Sequence, residues 1–115
     1  MLRNTRPVSW IKAARRDFEE FPQGARLEFA RALTVIAEGQ TPEIAKPLKG
    51  LGSGVMELAL RYRGDAFRVV YAFKIGDEIW VVHSFQKKSK TGIKTPKADI
   101  DLIRERLSRL KEVLK

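Results

Sequence analysis

The residues of this 115-residue chain with the clearest chemical potential are cationic. They are Arg61 and Arg68, one histidine (His83), and the lysines that follow it at Lys87, Lys88 and Lys90. A guanidinium presents a planar fork of donors that matches phosphate oxygens. Histidine is the only side chain whose unperturbed pKa lies near neutrality. Phe85, two residues beyond His83, adds a ring on which a base could stack. The set reads as an anion site suited to a nucleic-acid backbone. With no cysteine and a single histidine, thiolate and multi-histidine metal sites are excluded, so no metal or other cofactor is expected.

The charge distribution points the same way. The net charge is +9, and the segment from Gln86 to Lys97 contains Lys87, Lys88, Lys90, Lys94 and Lys97 with no acid among them. A basic stretch this dense in a small domain suits a polyanion, although a solvated surface loop has the same composition. No apolar run approaches the length of a membrane span. The start, MLRNTRPVSW, lacks the apolar stretch of a signal peptide, so a cytoplasmic protein is expected.

The elements that must position these groups follow from periodicity. A length of 115 residues, with 43% apolar and 32% charged residues, predicts one globular domain over 1–115. A short helix is predicted at Ala13–Glu20, ending at Phe21-Pro22. A second, opened by Pro22, carries Ala25, Phe29, Ala32, Leu33 and Ile36 on one face and stops at Gly39. Strands are predicted at Val55–Tyr62, Phe67–Lys74 and Glu78–Phe85, separated by Gly64-Asp65 and Gly76-Asp77 as two-residue turns. Thr95 is expected to cap a last helix with Pro96 in its first turn and a stripe of Ile100, Ile103, Leu107, Leu110 and Leu114. The result is an α+β domain: two N-terminal helices, an antiparallel sheet of three strands (four if Pro7–Ile11 joins it), and a C-terminal helix.

Closing both hairpins on those turns sorts the side chains. Leu58, Leu60, Tyr62, Phe67, Val69, Tyr71, Phe73, Trp80 and Val82 share a core face. Glu57, Ala59, Arg61, Arg68, Val70, His83 and Phe85 share the other. This register sets Arg61 directly across from Arg68. Such an opposition costs a few tenths to about 1 kcal/mol and makes sense with an anion between the two. A solvated outer face with an inert His83 is the plainer reading of the same pattern.

Four segments in order resemble the RelE/ParE superfamily of type II toxins, in particular its phage-derived, HigB-like branch. They are the run from Lys46 to Gly52, Gly54-Val55-Met56-Glu57-Leu58, Phe67-Arg68-Val69-Val70-Tyr71, and His83-Ser84-Phe85-Gln86-Lys87-Lys88-Ser89-Lys90 followed by Thr95-Pro96. The resemblance implies a RelE-like fold with helices on one face and an open basic face on the other. It also implies a cognate antitoxin, often of the helix-turn-helix type, and cleavage of messenger RNA on the ribosome. ParE-like inhibition of gyrase, or a non-catalytic binding module of the same fold, is the alternative. Matching positions place Arg68, His83 and Lys87 in the catalytic set, with Arg61 standing in for an arginine that many relatives carry where this chain has Ala59. Lys49, Phe85, Lys88 and Lys90 fall at substrate-binding positions. In metal-free RNA cleavage the 2′-hydroxyl attacks the adjacent phosphorus. His83, Glu57 or Lys49 would take its proton, Arg61 and Arg68 would steady the phosphorane, and Lys87 or Lys88 would serve the leaving oxygen.

The lysine run carries its own test. If Lys87, Lys88 and Lys90 touch backbone phosphates, each change to Gln should reduce the log–log salt slope of ribosome binding by roughly one unit. An unchanged slope in the triple variant would leave the lysines a purely solubilising role.

Overall fold

A computed structural model of the chain describes residues 5–87 and 94–114. The elements are β1 (Val8–Trp10), α1 (Lys12–Phe18), α2 (Gln23–Ala37), β2 (Ala45–Pro47), β3 (Val55–Tyr62), β4 (Asp65–Ala72), β5 (Ile79–Lys87) and α3 (Lys97–Val113). The α+β class and the three helices are as expected, but the sheet has five strands in the order β1-β5-β4-β3-β2. The two extra strands are three residues each, too short to show a period. The N-terminal one runs parallel to β5, so the sheet is mixed. Ile79 N–H donates to the Pro7 carbonyl and Ile11 N–H to that of Val81, which ties the two strands together. Arg6 adds a clamp, donating to the carbonyls of Phe73, Asp77 and Glu78 in the β4–β5 connection.

Both faces of the sheet are used. On one, Ala14, Phe21, Ala25, Phe29, Leu33 and Ile36 of the N-terminal helical region pack against Leu58, Phe67, Val69, Tyr71, Ile79 and Val81. On the other, Ile103, Leu107 and Leu110 of α3 pack against Val55, Val70, Ala72 and Val82. The second face is therefore covered at one end by α3, whereas the family resemblance implied an open one. Trp80 and Val82, assigned above to the α1–α2 face, belong with α3 instead. The reason is a β-bulge: Val70 pairs with His83 but Tyr71 with Val81, so Val82 is an extra residue and the alternation of β5 shifts there.

The first hairpin also closes differently from expectation. Tyr62 pairs with Asp65, and the loop is Arg63-Gly64. Both loop residues are left-handed, Arg63 at φ 50° and Gly64 at φ 87°. This is the type I′ pattern, which puts glycine second, not first. The pairing moves by two residues, so the faces of β3 and β4 are kept while the partners change. Arg61 lies across from Ala66, and Arg68 from Ala59. The second connection spans residues 73–78 and is no two-residue turn. Gly39, at φ 90°, ends α2 as anticipated, with Gln40 N–H donating to the Val35 carbonyl and Gly39 N–H to that of Ile36. Thr95 does not cap α3. Pro96 occupies the cap position, and no side-chain bond closes that end.

Arg63 is the one described non-glycine residue held at positive φ. Asparagine tolerates that region better, so Arg63→Asn should raise stability by about 0.5–1 kcal/mol. In a domain of this size that is a melting-temperature gain of a few degrees. An unchanged melting temperature would argue for the Gly64-Asp65 turn.

Candidate functional site

The candidate site lies at the end of the second face beside the start of α3, where Glu57, Arg68, His83 and Lys87 are buried, and cross-strand rows define it. Lys46 lies beside Glu57, and Glu57 beside Val70 and then His83. The next row is Ala59, Arg68 and Phe85, and the last is Arg61, Ala66 and Lys87. The small, half-buried Ala59 and Ala66 separate the longer side chains of these rows, and the stretch of sheet across them is called the saddle below.

Glu57 is the hub. It is 1% exposed, the most buried of the described charged residues. Arg68 Nη1 donates to its Oε1 at 2.9 Å, and Lys46 Nζ lies 3.8 Å from the same oxygen. The hydroxyl of Thr95, just ahead of α3, donates to Oε2. Burying a carboxylate is tolerable only with such pairing. Arg68 is itself nearly buried, and its Nε has no acceptor among the described residues, so its guanidinium is not saturated by Glu57.

Lys87 is 7% exposed. Burial lowers its pKa below the usual 10.5, and the neighbouring Arg68 and Lys46 lower it further, against the opposing pull of Glu57. A lysine in that state releases its proton more readily than an ordinary one. Arg61 differs from the rest: it is exposed, and its Nη1 reaches only the Gly64 carbonyl at 3.5 Å. Its direct opposition to Arg68 does not occur. The two are diagonal neighbours, at a spacing of roughly 7–8 Å between positions.

His83 is 4% exposed, and both ring nitrogens are engaged by α3. Nε2 lies 2.7 Å from Asp99 Oδ1, and Arg106 Nη1 lies 3.2 Å from Nδ1 while donating to the Val82 carbonyl at 2.9 Å. A guanidinium only donates, so Nδ1 accepts and Nε2 carries the hydrogen toward Asp99. The ring also stacks on Phe85, centroid to centroid 4.9 Å at 19°. Phe85 is thus half-buried, with one side of its ring occupied.

The structure brings together Arg68, Lys87, His83 and Phe85, with Arg61 at the rim. Lys49 is exposed in the β2–β3 connection, and the lysine that reaches Glu57 is Lys46. Lys88 and Lys90 lie outside the described residues. Sequence reasoning passed over Lys46, Thr95, Asp99 and Arg106 as site residues. The seven-residue spacing from Asp99 to Arg106 puts both on one side of α3 two turns apart, a signal that was available. Lys46 sits in a strand too short to announce itself.

Comparison with known proteins follows from this geometry. A family model described as Phage derived protein Gp49-like (DUF891) matches residues 16–108, and the chain belongs to that family. No curated protein sequence is significantly similar. Among solved structures, a mutant of the Escherichia coli toxin RelE in the free state superposes with a TM-score of 0.64 at 14% identity, covering 91% of this chain and 97% of that one. The toxin–antitoxin complex RelBE2 from Mycobacterium tuberculosis matches with a TM-score of 0.52 at 16% identity, over 74% of this chain and 94% of that one. The fold is the RelE fold, as the resemblance in sequence implied.

Removing the hub tests the electrostatics. Glu57→Ala leaves Arg68 buried without its carboxylate and should cost about 3–5 kcal/mol in urea unfolding. Glu57→Gln, which keeps the shape, should lower the NMR titration point of the Lys87 ammonium further, because the attraction of the Glu57 carboxylate, which raises it, is lost. An unchanged Lys87 titration would mean that Glu57 does not act on it.

Proposed function

We propose that this protein is the toxin of a type II toxin–antitoxin pair and cleaves messenger RNA on the ribosome in the cytoplasm, without a metal. The observation that carries the reading is the surplus of cation around one buried carboxylate: Lys46, Arg68 and Lys87 about Glu57, with Arg61 exposed at the edge. The RelE fold and the Gp49-like family support it. No described helix is long and apolar enough to cross a membrane.

Each group has a task in the chemistry. A phosphate on the saddle accepts from Arg68, whose donors are not saturated by Glu57, and from Arg61. Both stabilise the extra negative charge of the phosphorane by preorganised dipoles and charge. The 2′-hydroxyl loses its proton to a base as its oxygen bonds to phosphorus. Glu57 serves as that base once Thr95 releases Oε2; His83 would need to give up Asp99 or Arg106 first. Lys87, acidified by its surroundings, passes a proton to the departing 5′-oxygen. The products are a 2′,3′-cyclic phosphate and a 5′-hydroxyl. Phe85 offers the free side of its ring to a base. Lys49, exposed in the β2–β3 connection, and, by their charge, Lys88 and Lys90, which lie outside the described residues, are the proposed contacts to the RNA backbone. A helix-turn-helix antitoxin is the proposed partner; a toxin–antitoxin complex stands among the structures of similar fold.

Induced expression followed by mapping of messenger 5′ ends is the direct test. Arg68→Ala should lower cleavage about 100–1,000-fold, as for loss of a preorganised oxyanion donor. Lys87→Gln should slow cleavage with RNA binding largely kept, and His83→Gln should separate proton transfer from the anchoring of α3. Growth arrest with intact messengers would overturn the nuclease reading and favour a gyrase-type target.

A further inference from the structure

A cavity of about 180 Å³ lies on the α2 side of the sheet, opposite the cationic saddle, where the chain leaves α2 after Gly39. Ile36, Met56, Phe73 and Ile79 give it apolar walls. An apolar cavity of about 150 Å³ is large enough for benzene, so there is room here for a single ring with a small substituent. Two side chains bring polar groups to the same cavity, Tyr71 and Arg6, and both are donors. Tyr71 is 2% exposed, and its hydroxyl makes no hydrogen bond with a described residue. Burial pushes the pKa of the phenol up to about 12, so it stays protonated at physiological pH. Arg6 is half-buried and held in one place: its Nε donates to the Asp77 carbonyl at 3.0 Å, and its Nη2 to those of Phe73 at 2.8 Å and Glu78 at 3.1 Å. Its Nη1 hydrogens are unengaged among the described residues, and no described carboxylate pairs with the guanidinium. The last carbonyls of α2 leave that charge unclaimed, because those of Thr34, Val35, Ile36 and Ala37 already accept from the backbone N–H groups of Glu38, Gln40, Gly39 and Arg6.

We infer that this cavity is a binding site for a small single-ring carboxylate, whose ring lies against the apolar walls and whose carboxylate accepts from Arg6 Nη1 and the Tyr71 hydroxyl. With donors alone at its polar end, the cavity selects an acceptor, and the uncompensated guanidinium selects a negatively charged one. A neutral ring without an acceptor leaves both donors bare, and an ammonium is repelled by the guanidinium. The three carbonyls that fix Arg6 hold its free donors in place before the ligand arrives, which lowers the cost of ordering them. The site lies on the other face of the sheet from the saddle and stands whatever reaction the saddle performs.

The test is NMR titration of the intact protein, labelled at isoleucine and methionine methyls, with sodium benzoate. Saturating shifts at Ile36, Met56 and Ile79 are expected. Benzylamine, of like size and opposite charge, should leave these methyls unmoved. Tyr71→Phe keeps the ring and should weaken benzoate binding about tenfold. The same variant should melt no lower than the parent, because the hydroxyl it removes has no partner in the free protein. Shifts confined to Ile100 and Ile103, on the other face of the sheet, equal shifts with benzylamine, or undiminished affinity in Tyr71→Phe would each overturn the proposal. A lower melting temperature in Tyr71→Phe would also overturn it, since the hydroxyl would then serve the fold.

Discussion

A carboxylate withdrawn from water dictates the arrangement of the rest. Glu57 is buried in the second face of the sheet, and an ionised carboxyl there is tolerable only with cations and donors at hand. Arg68 comes from the neighbouring strand, Lys46 from the short strand on the other side, and Thr95 from the approach to α3. One side chain thereby ties three strands and a helix approach together. The same concentration of positive charge, with burial, acidifies Lys87. Structure and chemistry rest here on the same contacts, so a change that weakens one is felt in the other.

The helix α3 divides the sheet face. Its apolar stripe covers Val70, Ala72 and Val82, and its polar side chains Asp99 and Arg106 hold His83 from both ends of the ring. The bulge at Val82 makes this possible, because it turns Val82 and Trp80 toward α3 while His83 stays in register with Val70. Beyond His83 the half-buried Phe85 still packs against this cluster, Arg68 and Lys87 are buried, and Arg61 at the rim is exposed. The boundary between core and site is therefore set by where α3 starts.

The chain's positive charge is not uniform in space. Cations gather around Glu57, whereas Asp17, Glu20 and Asp65 line a groove between the end of α1 and β5.

The sequence alone determined the class of fold, the helices, the three long strands and the face on which Glu57, Arg68, His83 and Phe85 lie. Apolar periodicity, proline breaks and the glycine after α2 are local signals, and a strand's alternation survives a slip of two residues. The family resemblance was legible for the same reason that the motifs are contiguous. Tertiary structure alone decided which side chains meet. The I′ turn at Arg63-Gly64 moved Arg61 from Arg68 to Ala66, and Arg68 found Glu57 instead. The bulge, the parallel β1 and the three-residue β2 leave no periodic trace, yet they bring Lys46 to the site and turn Trp80 to α3. Whether the second face is open or covered depended on the long-range docking of α3. Its apolar stripe fits either side of the sheet in principle, and the choice is made by packing between residues distant in the chain.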